Sequence, residues 1–306
     1  MTDIDVLNRR FALADELRFE KGAGGLAYAE IDNGFGAARI CLQGGHLLTW
    51  HPHAQQAPVV WLSDDAQFAP GKSIRGGVPV CWPWFGPHDA NADYPAHGFV
   101  RTAPWQVRHT GRGADGATDI TLTPVTPVLT DITTGFWPYR TELTLRIQVG
   151  DVLRMTLTTA NRDDCEVVIG EALHTYFRVG DIAETRVCGL EQVEYLDKLQ
   201  AYARFQQAGA IGFGGETDRV YVDTDSPCAI EDPVLQRRIV IAKSGSLSTV
   251  VWTPWSGRAA QMGDLGPEGW RRMVCVESAN AKDNLITVGP GGEHSLKVEY
   301  AVEALV

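Results

Sequence analysis

From about residue 26 onward, hydrophobic and polar positions alternate with a period of two along most of the chain. Leu143, Leu145, Ile147 and Val149 alternate with polar residues, Gly150-Asp151 turns the chain, and Leu153, Met155 and Leu157 alternate again. That pattern predicts a β-hairpin with one buried face. Asp115-Gly116 sits in the same way between the runs Trp105–Arg112 and Ile120–Thr123. Further strand-like runs are Leu26–Ile31, Ala38–Leu42, His46–His51, Val167–Phe177, Arg237–Lys243, Thr249–Thr253, Met273–Glu277 and Leu296–Val302. The period changes only at the start, where Leu7 and Phe11 at i, i+4 spacing and Asp3 as a cap predict a helix over residues 3–18. A second short helix is expected over Ser256–Met262. Many short strands separated by turn signals predict an all-β chain, a large antiparallel sandwich. No repeat, low-complexity tract or linker interrupts it, so one domain is expected over 1–306, with an N-terminal helical extension over 1–20 and the sandwich over 25–306.

The chain has 306 residues, 44% of them hydrophobic and 21% charged, an ordinary balance for a folded domain. Its formal charge of −11 argues against nucleic acid and anionic membranes as partners and requires any anion site to be a local basic pocket. The cysteines, Cys41, Cys81, Cys165, Cys188, Cys228 and Cys275, form no CxxC pair and no zinc-type spacing. With no signal-like or membrane-spanning segment, they read as reduced thiols of a cytoplasmic protein. No cofactor is implied, and no metal: His51-Pro52-His53 has no nearby acidic or cysteine partner. Nucleophile-elbow, phosphate-loop and dinucleotide fingerprints are also missing from the sequence. A monomer acting on a small molecule is the expectation.

The candidate chemistry begins in Lys72–Arg101, a glycine- and proline-rich stretch holding Lys72, Arg75, Trp82, Trp84, His97 and Arg101. Guanidinium forks suit a phosphate, and aromatic faces suit a sugar. Trp82 and Trp84 read equally as stacking platforms or core plugs. Gly76-Gly77 would let a ligand approach the backbone. In an extended segment His97 and Arg101 would point the same way, roughly 13 Å apart. In Val167–Arg178, taken as one strand, His174 shares a face with Val168, Gly170, Ala172 and Tyr176, small neighbours that leave room for a proton donor. Glu277 ends an apolar run, where partial desolvation would raise its pKa and make it a better base. Asp218 enters a strand beside Arg219, with which it could simply pair.

Five motifs occur in order: Ile74-Arg75-Gly76-Gly77-Val78-Pro79, His97-Gly98-Phe99-Val100-Arg101, Leu173-His174-Thr175-Tyr176-Phe177, Asp218-Arg219-Val220-Tyr221 and Val274-Cys275-Val276-Glu277. Together they resemble the hexose-6-phosphate mutarotase branch of the aldose 1-epimerase family, from about residue 25 to the C-terminus. The resemblance implies a galactose mutarotase-like β-sandwich with an open cleft and interconversion of the α and β anomers of an aldose 6-phosphate. His174 falls at the family's general acid and Glu277 at its general base. His97 and Asp218 match positions that hold the sugar, and Arg75 and Arg101 positions expected to bind the phosphate. Lys72 is an addition of our own from the loop's charge. Leu173 stands where the galactose branch has Asn, and Arg75-Gly76-Gly77 replaces that branch's Asn-Arg signature; both departures favour the phosphate branch. A non-catalytic sugar-phosphate-binding sandwich, an epimerase of unphosphorylated aldoses and a glycoside hydrolase using Glu277 with Asp218 are the other readings the residues leave open.

Overall fold

The computed structural model describes residues 3–125 and 137–305. The described chain is built from antiparallel strands in two large sheets. One has nine strands and includes the hairpin Thr141–Val149 and Leu153–Asn161, whose register Leu145↔Leu157 and Ile147↔Met155 is the one the alternation demands. Leu143, Leu145, Ile147, Leu153, Met155 and Leu157 are each at most 1% exposed. Burial of such a side chain stabilises by about 1.5–3 kcal/mol. The other sheet has eight strands, with Thr217–Tyr221, Ser248–Thr253 and Met273–Asn280 as successive neighbours. A four-stranded sheet runs from Leu17–Lys21 to His46–Pro52, and a two-stranded ribbon pairs Val167–Ile169 with Ile286–Val288.

The eight-stranded sheet sorts its side chains strictly by face. Val251, Val274, Val276, Leu173 and Phe177 point into the main core. The opposite face carries Asp218, Trp252 and Cys275 in one cross-strand row, and Val220, Val250 and Glu277 in the next. Met273–Asn280 is buried along its whole length, so both of its faces are covered.

Three expectations are corrected. The first helix spans only Ile4–Phe11, with Asp3 capping it as expected; Leu17–Lys21 is a strand, paired to Ala27–Asp32, so the residues before 20 are not all a helical extension. Leu17 and Phe19 of this strand are buried in the main core. The run Val167–Arg178 is three strands, Val167–Ile169, Glu171–Leu173 and Tyr176–Arg178: the first pairs with Ile286–Val288 and the second with Met273–Asn280, and before the third the Thr175 amide turns back to the Leu173 carbonyl. The second helix spans Trp255–Ala259.

The segment bearing His97 is held by its neighbour. Gly98 has φ +71°, and a Cβ there would lie 1.8 Å from the Trp82 carbonyl oxygen. Gly98→Ala is expected to destabilise the protein by at least about 1–3 kcal/mol. Urea denaturation measures this, and an unchanged midpoint would contradict the packing described.

Candidate active site

The register that pairs Leu173 with Ser278 and Tyr176 with Cys275 continues across the gap between the two short strands. It therefore sets His174 opposite Glu277. Nδ1 of His174 lies 3.4 Å from Oε1 of Glu277, and their side chains are 12% and 1% exposed. Glu277 is thus a buried mid-strand residue rather than a strand-end charge. Burial, then the nearby Asp218, drive its pKa well above the usual carboxylate range, with Lys198 opposing. The His174 pKa goes the other way, lowered by burial, then by His97 and the guanidinium of Arg101. Tyr176 stacks on the His174 ring, centroids 5.0 Å apart and planes within 10°.

The pair lies at the floor of a cleft of about 820 Å³, within the range of small-molecule sites. Arg75, His97, Arg101 and Asp218 all line it. Arg75 donates from Nε to Asp264 at 3.1 Å and from a terminal nitrogen to the Tyr176 hydroxyl at 3.0 Å. Arg101 stands in the 3-10 turn Val100–Thr102, and among the described residues no carboxylate lies within ion-pair distance of it. His97 has φ +65°, so the stretch to Arg101 is a turn rather than the extended segment expected. Its Nδ1 accepts from the Gly86 amide, and burial lowers its pKa to about 3. The ring is therefore neutral, with its proton on Nε2. Asp218 pairs with Lys198 at 2.7 Å and not with Arg219, which approaches Asp197 instead.

Sequence reasoning overlooked Lys198, Tyr202, Phe85 and Trp252, which also line the cleft. Trp252 was legible: it lies two residues after Val250 on the same strand face. Three expected contacts fall away. Trp82 is fully buried and donates its indole N–H to Thr159; it is a core plug. Trp84 donates to the Pro95 carbonyl outside the cleft, packed among His88, Tyr94 and Phe99. Lys72 is exposed on a turn and does not line the cleft. Gly76-Gly77 serves packing, since a Cβ on Gly77 would lie 2.4 Å from the Leu47 carbonyl and 2.5 Å from His46. His51 and His53 bond to the carbonyls of Gln55 and Asn33, so they do not converge on a shared ion. His174, Cys275 and Glu277 bring ligand atoms within 4.8 Å of one another. Burial and the Glu277 charge push the Cys275 thiol well above its usual pKa, which makes it a poor ligand.

An antiparallel sandwich with an imidazole set against a carboxyl in a sugar-sized cleft defines a class of acid–base enzymes acting on carbohydrates. Residues 28–301 match the family model described as aldose 1-epimerase. The chain belongs to the aldose 1-epimerase family. It is 39% identical over 248 residues, 80% of each chain, to an Escherichia coli (strain K12) protein provisionally named glucose-6-phosphate 1-epimerase. A Cenchrus ciliaris protein given the same provisional name is 36% identical, over 84% of this chain and 78% of its own. A crystal structure of a provisionally named mutarotase from Salmonella typhimurium superposes with a TM-score of 0.88, at 31% identity and 96% coverage of both chains.

The cleft's support depends on protonation. His46 is 2% exposed, and its Nε2–H donates to the Gly76 carbonyl beside Arg75. Burial lowers its pKa from 6.5 to about 4. A depressed pKa means that its stabilising contribution is complete above pH 6.5 and is lost as the pH falls toward 4. The loss amounts to about 3 kcal/mol, at 1.36 kcal/mol per pKa unit. Urea denaturation should show stability declining across that window, more weakly in His46→Gln; identical slopes in the two proteins would refute a buried neutral His46.

Proposed function

We propose that the protein interconverts the α and β anomers of aldohexose 6-phosphates, glucose 6-phosphate foremost. The observation that carries this reading is His174 set against Glu277 beneath walls bearing Arg75, Arg101 and Lys198. The names of the relatives agree with it. Ring opening needs one group to protonate the ring oxygen and another to take the C1 hydroxyl proton. His174 supplies the first proton and Glu277 accepts the second, the C1–O bond breaks, and the free aldehyde turns. Reversal of both transfers on its other face closes the second anomer. A positioned acid or base contributes roughly 10²–10⁴-fold, sufficient for a reaction that already proceeds in water.

The remaining residues supply recognition. His97 offers an Nε2–H to a sugar oxygen, and Asp218 accepts from hydroxyls. Arg101, which has no ion-pair partner among the described residues, and Arg75 take the phosphate; Lys198 pairs with Asp218 in the same cleft. Trp252, Tyr176 and Phe85 give the sugar its apolar walls, the part first assigned to Trp82 and Trp84. The free cysteines suit the reducing cytoplasm.

Anomer exchange of glucose 6-phosphate, followed by saturation-transfer NMR, should accelerate on adding the protein. Tight binding without exchange would make the protein a binding module instead. His174→Ala and Glu277→Gln should each lose at least about 10²-fold in kcat while the fold survives; full activity in either would remove its assigned role. Arg101→Ala should raise KM for glucose 6-phosphate far more than for free glucose, and equal effects would argue against phosphate contact.

A further inference from the structure

The catalytic pair holds two buried polar atoms without hydrogen-bond partners, His174 Nδ1 and Glu277 Oε2. Such atoms are costly in a desolvated site. Nδ1 faces the other carboxyl oxygen, Oε1, at 3.4 Å, so one mobile proton exchanged between imidazole and carboxyl would give Nδ1 a partner and make the pair titrate as a unit. Its two arrangements are not equivalent in use. Ring opening needs a charged imidazole and an ionised carboxylate; ring closure needs a neutral imidazole and a protonated carboxyl.

In the empty cleft the second arrangement is favoured. The groups around His174 supply positive charge or none. Tyr176 is a neutral phenol hydrogen-bonded to Arg75, and the Cys275 thiol stays protonated. His97 is neutral, with the equally protonated Cys81 thiol behind it. Arg75 is balanced by Asp264 and Lys198 by Asp218, whereas Arg101 faces the cleft without a counterion among the described residues. Arg101 and Arg75 both disfavour a charged His174, and Asp218 disfavours an ionised Glu277.

We propose that the substrate's phosphate is a proton switch as well as a handle: when the dianion docks against Arg101, the shared proton passes from the Glu277 carboxyl to Nδ1 of His174. The inference rests on the phosphosugar reading above. One O–H bond breaks and one N–H bond forms, with no other reactant. A phosphate monoester carries about −1.5 to −2 charges at neutral pH, enough to cancel the unbalanced guanidinium. The charged imidazole then holds a second proton on Nε2, available to the ring oxygen. A sugar without the phosphate enters a site whose proton is in the wrong place. Free glucose should therefore suffer in kcat and not only in KM, by at least about tenfold, the effect of one pKa unit.

The test uses the intact protein with 15N-labelled histidine at neutral pH, and 1,5-anhydroglucitol 6-phosphate, a non-reacting analogue without the C1 hydroxyl. His174 Nδ1 should move from an unprotonated to a protonated 15N shift on saturation with this analogue, and stay unprotonated with 1,5-anhydroglucitol. Arg101→Ala should move it toward the protonated shift with no ligand at all, which a purely phosphate-binding Arg101 would not do. An unprotonated Nδ1 in the saturated wild-type complex overturns the switch. If glucose 6-phosphate is nevertheless turned over, the epimerase reading stands; if it is not, both fall.

Discussion

The structure depends on one ladder: the pairing of Met273–Asn280 with the two short strands Glu171–Leu173 and Tyr176–Arg178 in a single uninterrupted register. The core needs that register, because it places Val274, Val276, Leu173 and Phe177 together beneath the sheet. The same alternation leaves Cys275 and Glu277 above it, with His174 and Tyr176 beside them. A one-residue slip would exchange the faces and bury the wrong set. Core packing thus sets His174 and Glu277 opposite one another on the face that lines the cleft.

The other edge of the segment bearing His174 serves the same end. On the side away from Met273–Asn280, the pairing of Leu173 with Val80 runs on past the end of Glu171–Leu173. The His174 amide bonds to the Pro79 carbonyl and the Tyr176 amide to Gly77 in that same register, so the segment bearing Arg75 is tied to the strand bearing His174 through the backbone. Tyr176 adds a side-chain link, its ring on His174 and its hydroxyl on Arg75. The cleft's recognition wall and its floor are one hydrogen-bonded body.

Much of this was legible in the chain, for a physical reason. Period-two alternation reports burial, so the hairpin at Gly150-Asp151 and the face shared by His174 and Tyr176 could be read directly. The fate of Leu17–Lys21 was not, because five residues after a helix carry too little pattern against the helical spacing before them. Trp82 and Trp84 lie in the recognition stretch, and an aromatic ring beside proline looks alike whether it plugs a core or lines a cleft; only Thr159, far along the chain, decides for Trp82. Lys198 was missed because its meaning comes from Asp218 across a strand pair, a contact no local pattern encodes.

The groups of the proposed site come from widely separated places: Arg75 and His97 early, His174 near the middle, Asp218 and Glu277 late. Every pairing that brings them together closes a long stretch of chain, the slow kind of contact to form. A partly folded chain would therefore have a finished hairpin at 141–161 long before it had any trace of a site. Catalytic competence arrives only with the last closures, so recovery of turnover during refolding reports the completion of the sandwich itself.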